Sequence, residues 1–380
     1  MEKKTLTETP LRECLVPIGN PPAPSAGADG RPGPQSRPAI VPFFLPFAGC
    51  PHRCLFCAQD KQTGTAHDSG SLPYPEALAN LLSDLERLHA ASATAQRPFR
   101  PVELAFYGGT FTALPERLQT DCMRLAAQAK AKGILCRIRC STRPDAVAPQ
   151  RLAELKRMGL NTVELGVQSF HSEALRLSER GYTGETAREG CRRVRESGLE
   201  LGIQLLPGMP GSTPQGFLDD VRESLAFSPA CLRFYPCLVV EGTPLAALWK
   251  AGGYRPWDME TTVGALGAAL AAAWERRVPV IRLSLAPEPE LDDAVLAGPR
   301  HPALGNIIQG EALLRTFRDH IARNGGVPPS RISLPRSCQG FFYGHRGRLV
   351  PFWKELGVAP ASIDWIPGDH AVLRWEDAGV

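Results

Sequence analysis

Residues 44–59 read Phe44-Leu-Pro-Phe-Ala-Gly-Cys50-Pro-His-Arg-Cys54-Leu-Phe-Cys57-Ala-Gln. The cysteine spacing is C-x3-C-x2-C, in a loop with Gly49 and Pro51, directly after a β-branched and aromatic run over 40–46 that reads as a strand. Three thiolates that close together in one loop suit a soft metal or an iron–sulfur cluster. Three ligands on a four-iron cluster leave one iron open for a substrate or cosubstrate. A structural zinc usually takes four closed ligands. His52 or a distant cysteine could supply the fourth, so zinc is the competing reading.

The rest of the cysteine inventory isolates this loop. The 380-residue chain has 11 cysteines, and only Cys50, Cys54 and Cys57 crowd together. An odd number of cysteines in a large chain argues against a secreted disulfide framework. The start, Met1-Glu-Lys-Lys-Thr, has no apolar core after its lysines and does not read as a secretory signal. Cys136, Cys140, Cys191, Cys231 and Cys237 fall on strand or helix patterns, where a small buried hydrophobe is the default reading. Hydrophobic residues make up 43% and charged residues 22%, with a net charge of +4. That balance belongs to an ordinary globular protein and excludes both a strongly basic tail and a mostly disordered chain. No run of about 18 uncharged apolar residues occurs, so no membrane span is expected and the expected compartment is the cytoplasm.

Outward from the cysteine loop, strand and helix patterns alternate. Strands are expected at 40–46, 102–107, 135–140, 162–167, 200–206, 232–239 and 280–285. Helices are expected near 75–92, 115–131, 149–158, 171–179, 184–197, 213–227, 244–251 and 258–276. Apolar strands alternating with helices predict a parallel sheet covered by helices. Six or seven such units suggest a complete or partial (β/α) barrel, with ligands at the carboxyl ends of its strands. Residues 1–37 are rich in Pro, Gly, Ala and Ser and read as a disordered leader. The barrel is assigned to 38–285. After that the rhythm is lost, and 286–380 reads as a small C-terminal module.

Successive expected strands end in residues able to hold a ligand. The second gives Gly108-Gly109-Thr110, where paired glycines admit close approach to the backbone. An ordinary strand-to-helix turn explains them equally well in isolation. The third ends in Ser141-Thr142, whose hydroxyls suit a ribose, although Asp145 there would also suit a helix N-cap. The fourth gives Glu164-Leu-Gly-Val-Gln168-Ser169, followed by Arg180-Gly-Tyr-Thr. The fifth gives Gln204-Leu-Leu-Pro-Gly-Met-Pro-Gly-Ser-Thr213. Tyr235 follows on the sixth.

These strings together resemble the radical S-adenosylmethionine superfamily. Cys50, Cys54 and Cys57 match its cysteine signature, and Phe56 fills the aromatic slot. Gly-Val-Gln-Ser-Phe and Gly-Met-Pro-Gly-Ser-Thr are similar to oxygen-independent coproporphyrinogen oxidase, and Gly-Gly-Thr-Phe, Thr-Arg-Pro-Asp, Glu-Leu-Gly-Val-Gln-Ser and Arg-Gly-Tyr-Thr complete the set. They are more similar still to the radical SAM domain of the Elongator catalytic subunit and its short bacterial relatives. The resemblance covers roughly 39–285. It implies an α/β fold, a partial (β/α)6-type TIM barrel of the radical SAM kind with a small C-terminal α+β module. It implies a [4Fe-4S] cluster on the three cysteines, with S-adenosyl-L-methionine chelated to the fourth iron and cleaved to a 5′-deoxyadenosyl radical that abstracts hydrogen. Gly108, Gly109 and Thr110 would contact the methionine part. Ser141, Thr142, Gln168, Arg180, Gln204 and Phe56 would complete the cosubstrate pocket, and an electron donor such as flavodoxin or ferredoxin is implied. Gln204 stands where the porphyrinogen enzymes have an aspartate.

The substrate is less legible. Kinship to Elongator implies tRNA modification, but the region after the barrel lacks a glycine loop of the kind that cradles coenzyme A phosphates. The stretch Gln339-Gly-Phe-Phe-Tyr-Gly-His-Arg346-Gly-Arg348 interleaves aromatics and cations as RNA-binding segments do, or packs Phe341 and Phe342 on the barrel. Residues 286–380 carry 10 Lys+Arg against 11 Asp+Glu, which argues against a broad electrostatic footprint. A small-molecule or peptide substrate is the rival within the same chemistry. A zinc- or RNA-binding protein without catalysis is the rival outside it.

Overall fold

The computed structural model describes residues 12–20, 38–63, 74–94, 99–285, 288–359 and 363–375. Seven strands form one curled sheet in sequential order: β1 (Ile40–Phe44), β2 (Val102–Tyr107), β3 (Leu135–Thr142), β4 (Thr162–Gln168), β5 (Glu200–Leu205), β6 (Cys231–Phe234) and β7 (Val280–Arg282). Every pair from β1 to β6 is parallel. Parallel neighbours require a crossover, and the helices Tyr74–Thr94, Glu116–Ala131, Pro149–Arg157, Gly184–Glu196 and Pro214–Ala226 supply them. This is the half-barrel expected from the alternation.

The helix starts follow local chemistry. Thr183, Thr213 and Thr243 each sit at an N-cap, where the hydroxyl accepts from the backbone N–H three residues on. The sixth strand is shorter than expected. Pro236 lacks an N–H to donate, and a separate two-residue strand, Val239–Val240, pairs with Val295–Ala297 instead.

By its contacts the chain divides into two compact units, Ala23–Thr262 with Ile281–Pro302, and Met1–Pro22 with Val263–Val280 and Ala303–Val380. The second unit holds a four-stranded sheet in the order Arg12–Pro17, His370–Trp375, Arg331–Pro335, Ile363–Ile366. Only the last pair is parallel. Its core stacks Phe342 on Trp353 at 4.6 Å, with Phe317 edge-on to the same indole at 5.3 Å. Phe341 and Phe342 are buried, Phe342 against Trp353 of this same unit, and Tyr343, Arg346 and Arg348 are exposed.

Residues 12–17, taken as part of a disordered leader, form a strand that pairs antiparallel with His370–Trp375. The alternation Cys14-Leu-Val16 was outweighed by the surrounding Pro and Gly, and its partner lies more than 350 residues away in sequence. The rest of the leader, 1–11 and 21–37, lies outside the described residues.

Candidate active site

The loop leaving β1 folds back on itself through short turns. Ala48 N–H donates to Leu45 O at 3.1 Å, Cys50 N–H to Phe47 O at 3.1 Å, and Cys57 N–H to Cys54 O at 3.1 Å. Cys54 is buried, Cys50 and Cys57 are partly so, and all three line one cavity of about 410 Å³. Burial first, and the neighbouring sulfurs of Cys54 and Cys50 second, push the Cys57 thiol up to about 12. Three sulfurs lining one cavity could, once deprotonated, hold a soft metal or an iron–sulfur cluster. Among the described residues no three His, Cys, Asp or Glu side chains converge on a single ion position.

The glycine turn after β2 locks onto this loop. Leu45 N–H donates to Tyr107 O, and Thr110 N–H to Ala48 O, both at 2.7 Å. Gly109 has φ +59°, and a Cβ there would stand 2.2 Å from Ala48 O and 2.6 Å from Leu45 O. Only glycine lets the two backbones meet. The close approach inferred from the sequence is thus made, in the first place, to the cysteine loop itself. Thr110 Oγ1 lies 3.3 Å from Cys50 Sγ. Gln59, two residues past the last cysteine, ties the parts together: its Oε1 accepts from Phe47 N–H at 2.5 Å and from Gly109 N–H at 2.9 Å.

The opposite rim comes from β4 and the segment after it. Gln168 is a non-glycine residue at φ +65°, and its Oε1 is buried without a hydrogen-bond partner on the cavity wall. A strained residue persists only where its surroundings fix it. The next two residues are anchored by Asp220, on the outer helix Pro214–Ala226. It accepts from Ser169 Oγ and from Phe170 N–H, each at 2.7 Å. Burial raises the Asp220 carboxyl to about 6, against the lowering effect of those two hydrogen bonds.

Arg180 is buried and donates to Cys54 Sγ at 2.9 Å, to Gly166 O at 2.8 Å and to Tyr182 OH. It is bound to a cysteine sulfur as well as lining the cavity. Thr142 Oγ1 is engaged by Thr112 Oγ1 at 2.6 Å. Asp145 caps no helix: its carboxylate pairs with Arg143 at 2.8 Å, and the following helix starts at Pro149 with Ala148 as its cap.

Beneath the cavity, inward positions of the strands carry charges where barrels of this kind usually carry branched aliphatics. Glu164 Oε1 accepts from Arg139 at 2.6 Å and from Tyr107 OH at 2.8 Å, and its Oε2 meets Arg233 Nε at 2.7 Å and Gln204 Nε2 at 3.0 Å. Arg139 also pairs with Glu103 at 2.5 Å. Burial alone would raise Glu164. The guanidiniums of Arg233 and Arg139 outweigh it and hold the carboxyl near 2. Gly202 makes room for this network, since a Cβ there would stand 2.7 Å from Glu164 Cγ. The sequence reading missed Glu103, Arg139, Glu164 and Arg233. The signal was the period-two placement of charge in Val102-Glu-Leu, Cys136-Arg-Ile-Arg-Cys140 and Leu232-Arg-Phe.

The cavity brings together Cys50, Cys54, Cys57, Phe56, Gly108, Gly109, Thr110, Ser141, Thr142, Gln168, Arg180 and Gln204. Residues 44–223 match the model of the Radical SAM superfamily, and 229–313 match that of the Radical_SAM C-terminal domain. The chain belongs to the radical SAM superfamily. This radical SAM chain is an enzyme whose cofactors are a [4Fe-4S] cluster and S-adenosyl-L-methionine.

Among curated proteins it is 28% identical over 260 residues to the tRNA uridine(34) acetyltransferase of Methanocaldococcus infernus, covering 61% of this chain and 49% of that one. It is 29% identical to the Dehalococcoides mccartyi protein of the same name, covering 87% of this chain and 72% of that one. It is 31% identical over 202 residues to Elongator complex protein 3 of Mus musculus, covering 46% and 36%. The radical SAM chain thus spans about half the length, or less, of two of these relatives. The archaeal Methanocaldococcus infernus Elp3 with an N-terminal deletion has the same fold, with a TM-score of 0.53 at 22% identity over 76% of this chain and 63% of that one. Among the described residues no helix is long and apolar enough to cross a membrane.

Proposed function

We propose that Cys50, Cys54 and Cys57 hold the [4Fe-4S] cluster, and that the enzyme acts on RNA in a tRNA modification. The observation that carries the cluster assignment is the donor set: three cysteine sulfurs on one wall of a 410 Å³ cavity, with Arg180 donating to one of them. A [4Fe-4S] cluster held by Cys50, Cys54 and Cys57 would supply the electron for reductive cleavage of S-adenosyl-L-methionine, the source of a hydrogen-abstracting 5′-deoxyadenosyl radical.

This chain's residues hold and shield the cosubstrate. Gly108 and Gly109 keep the β2 turn against the cysteine loop, so the turn's polar groups face the cavity beside the thiols. Gln168 offers an unpaired carboxamide oxygen, able to accept from an ammonium or a ribose hydroxyl. Ser141 and Gln204 add polar groups on the same wall. Phe56 and Leu206 close it with apolar surface and keep water from a reactive centre. An electron donor such as flavodoxin or ferredoxin completes the cycle.

The RNA assignment is supported by the relatives named for tRNA uridine(34), together with the exposed Tyr343, Arg346 and Arg348. Anaerobic reconstitution should give about four irons per chain with matching sulfide, and reductive formation of 5′-deoxyadenosine. Zinc without sulfide would overturn the cluster assignment. Binding of tRNA that is unaffected by replacing Arg346 and Arg348 with alanine would remove the support those residues give.

A further inference from the structure

The cavity lining contains four arginines, Arg143, Arg180, Arg233 and Arg282, and no aspartate or glutamate. Three of the four are committed. Arg143 pairs with Asp145, Arg180 donates to Cys54, and Arg233 pairs with Glu164 beneath the floor. Arg282 is exposed at the cavity mouth on β7 and has no ion pair among the described residues.

Tyr235 supplies the second element. Its phenol accepts from Arg233 Nη1 at 3.0 Å, which fixes the oxygen and leaves its own proton free to be donated. Burial raises the Tyr235 phenol above its usual range, while Arg233 and Arg282 act in the opposite sense. It therefore stays protonated at neutral pH. A donor held by one arginine and flanked by a second, unpaired one forms a place for an oxyanion.

The surrounding wall differs in kind from the cysteine side. Ile40 and Pro42 of β1 and Ile281 of β7 line it, together with Leu238 and Leu285. β1 and β7 are the two edges of the open sheet, so this compartment lies along the edges that the half-barrel leaves unpaired. An apolar wall beside an anion site matches a nucleotide, with its flat base on the wall and its phosphate on the cation.

We propose that Arg282 and Tyr235 form an anion subsite for a phosphate of the substrate nucleotide. The inference rests on the RNA reading above and names where on the enzyme that RNA is held. Arg282 acts as the cation and Tyr235 as the oriented donor. Arg233 is a positioning residue that acts through Tyr235.

The test uses the reconstituted, cluster-loaded enzyme with 5′-UMP, uridine and butyrate as probes, followed by calorimetry under anaerobic conditions. UMP should bind about tenfold or more tightly than uridine, the worth of one charge-assisted pair. Arg282→Gln, carrying its full iron, should lose that preference while its affinity for uridine is retained. Tyr235→Phe should reduce the preference in part. Equal binding of UMP and uridine, no binding of UMP, or a preference that survives Arg282→Gln would each overturn the proposal. Arg282-dependent binding of butyrate without UMP would overturn the phosphate assignment and assign the site to a carboxylate. Failure of tRNA binding alongside an intact UMP preference would count against the RNA reading alone.

Discussion

The cysteine wall and the floor beneath it are built by opposite means. The wall is made of backbone: turns within 45–57, a glycine pair, and hydrogen bonds from Leu45, Phe47, Gly109 and Thr110. The floor is made of side chains from four strands meeting at Glu164. The wall needs residues close in sequence plus one neighbouring turn. The floor needs all five strands from β2 to β6 in register. The wall keeps its sulfurs on the cavity, whereas the floor is self-neutralising and bears on folding.

The sharpest break between them is chemical. Replacing Cys50, Cys54 and Cys57 together with alanine should abolish iron uptake while far-UV circular dichroism stays that of a folded barrel. An unfolded variant would mean that the wall also holds the fold. In the floor, Glu164→Leu strands Arg139 and Arg233 without their shared carboxylate and should cost about 3–5 kcal/mol in denaturant unfolding. A loss under 1 kcal/mol, within the range of an exposed pair, would show the floor to be dispensable.

Gln59 joins the loop to the turn, and Gln59→Leu leaves two N–H groups without their acceptor. It should cost about 1–3 kcal/mol and weaken S-adenosyl-L-methionine binding. Gln59→Glu keeps the acceptor oxygen and should restore most of both. Equal damage from the two would show that the amide nitrogen, not the oxygen, is what matters.

A smaller effect tests the rim. If Asp220 acts on the cosubstrate through Gln168, Asp220→Ala should weaken S-adenosyl-L-methionine binding in the wild-type background. It should add almost nothing in a Gln168→Ala background, with a coupling of about 0.5–3 kcal/mol. Additive losses would mean that the two residues act separately.

The smallest effect is a slope with pH. Arg233 and Arg139 depress the carboxyl of Glu164 to about 2, so its contribution is present above the usual carboxylate range and lost only as pH falls toward 2. Asp220 is raised to about 6, so the folded state holds that proton more tightly than the unfolded chain. Its contribution is present below about pH 4 and lost as pH rises through about 6. Wild-type stability measured against Asp220→Asn should therefore fall between pH 4 and 6. A flat or rising difference would contradict the burial of that carboxyl.

Much of this was legible in the amino-acid order because it is local. Strand and helix periods, threonine N-caps and the C-x3-C-x2-C loop depend on residues within a few positions of each other. The cavity residues were readable because a parallel barrel delivers successive strand ends to one face. Less legible were residues whose meaning depends on distant partners. Arg139 and Glu164 looked like ordinary strand residues until β3 and β4 set Ser141 opposite Glu164. Asp220 carries no local signal and takes its role only where its helix packs behind Ser169. Arg12–Pro17 looked like part of a leader until His370–Trp375 came alongside.

The sequence by itself determined the superfamily, the half-barrel and the cysteine loop, since spacing along the chain encodes each of them. Only the tertiary structure decided which charges are spent and which remain. Pairing is a property of distance in space, and folding consumes Arg139, Arg143, Arg180 and Arg233 while leaving Arg282 at the mouth of the cavity.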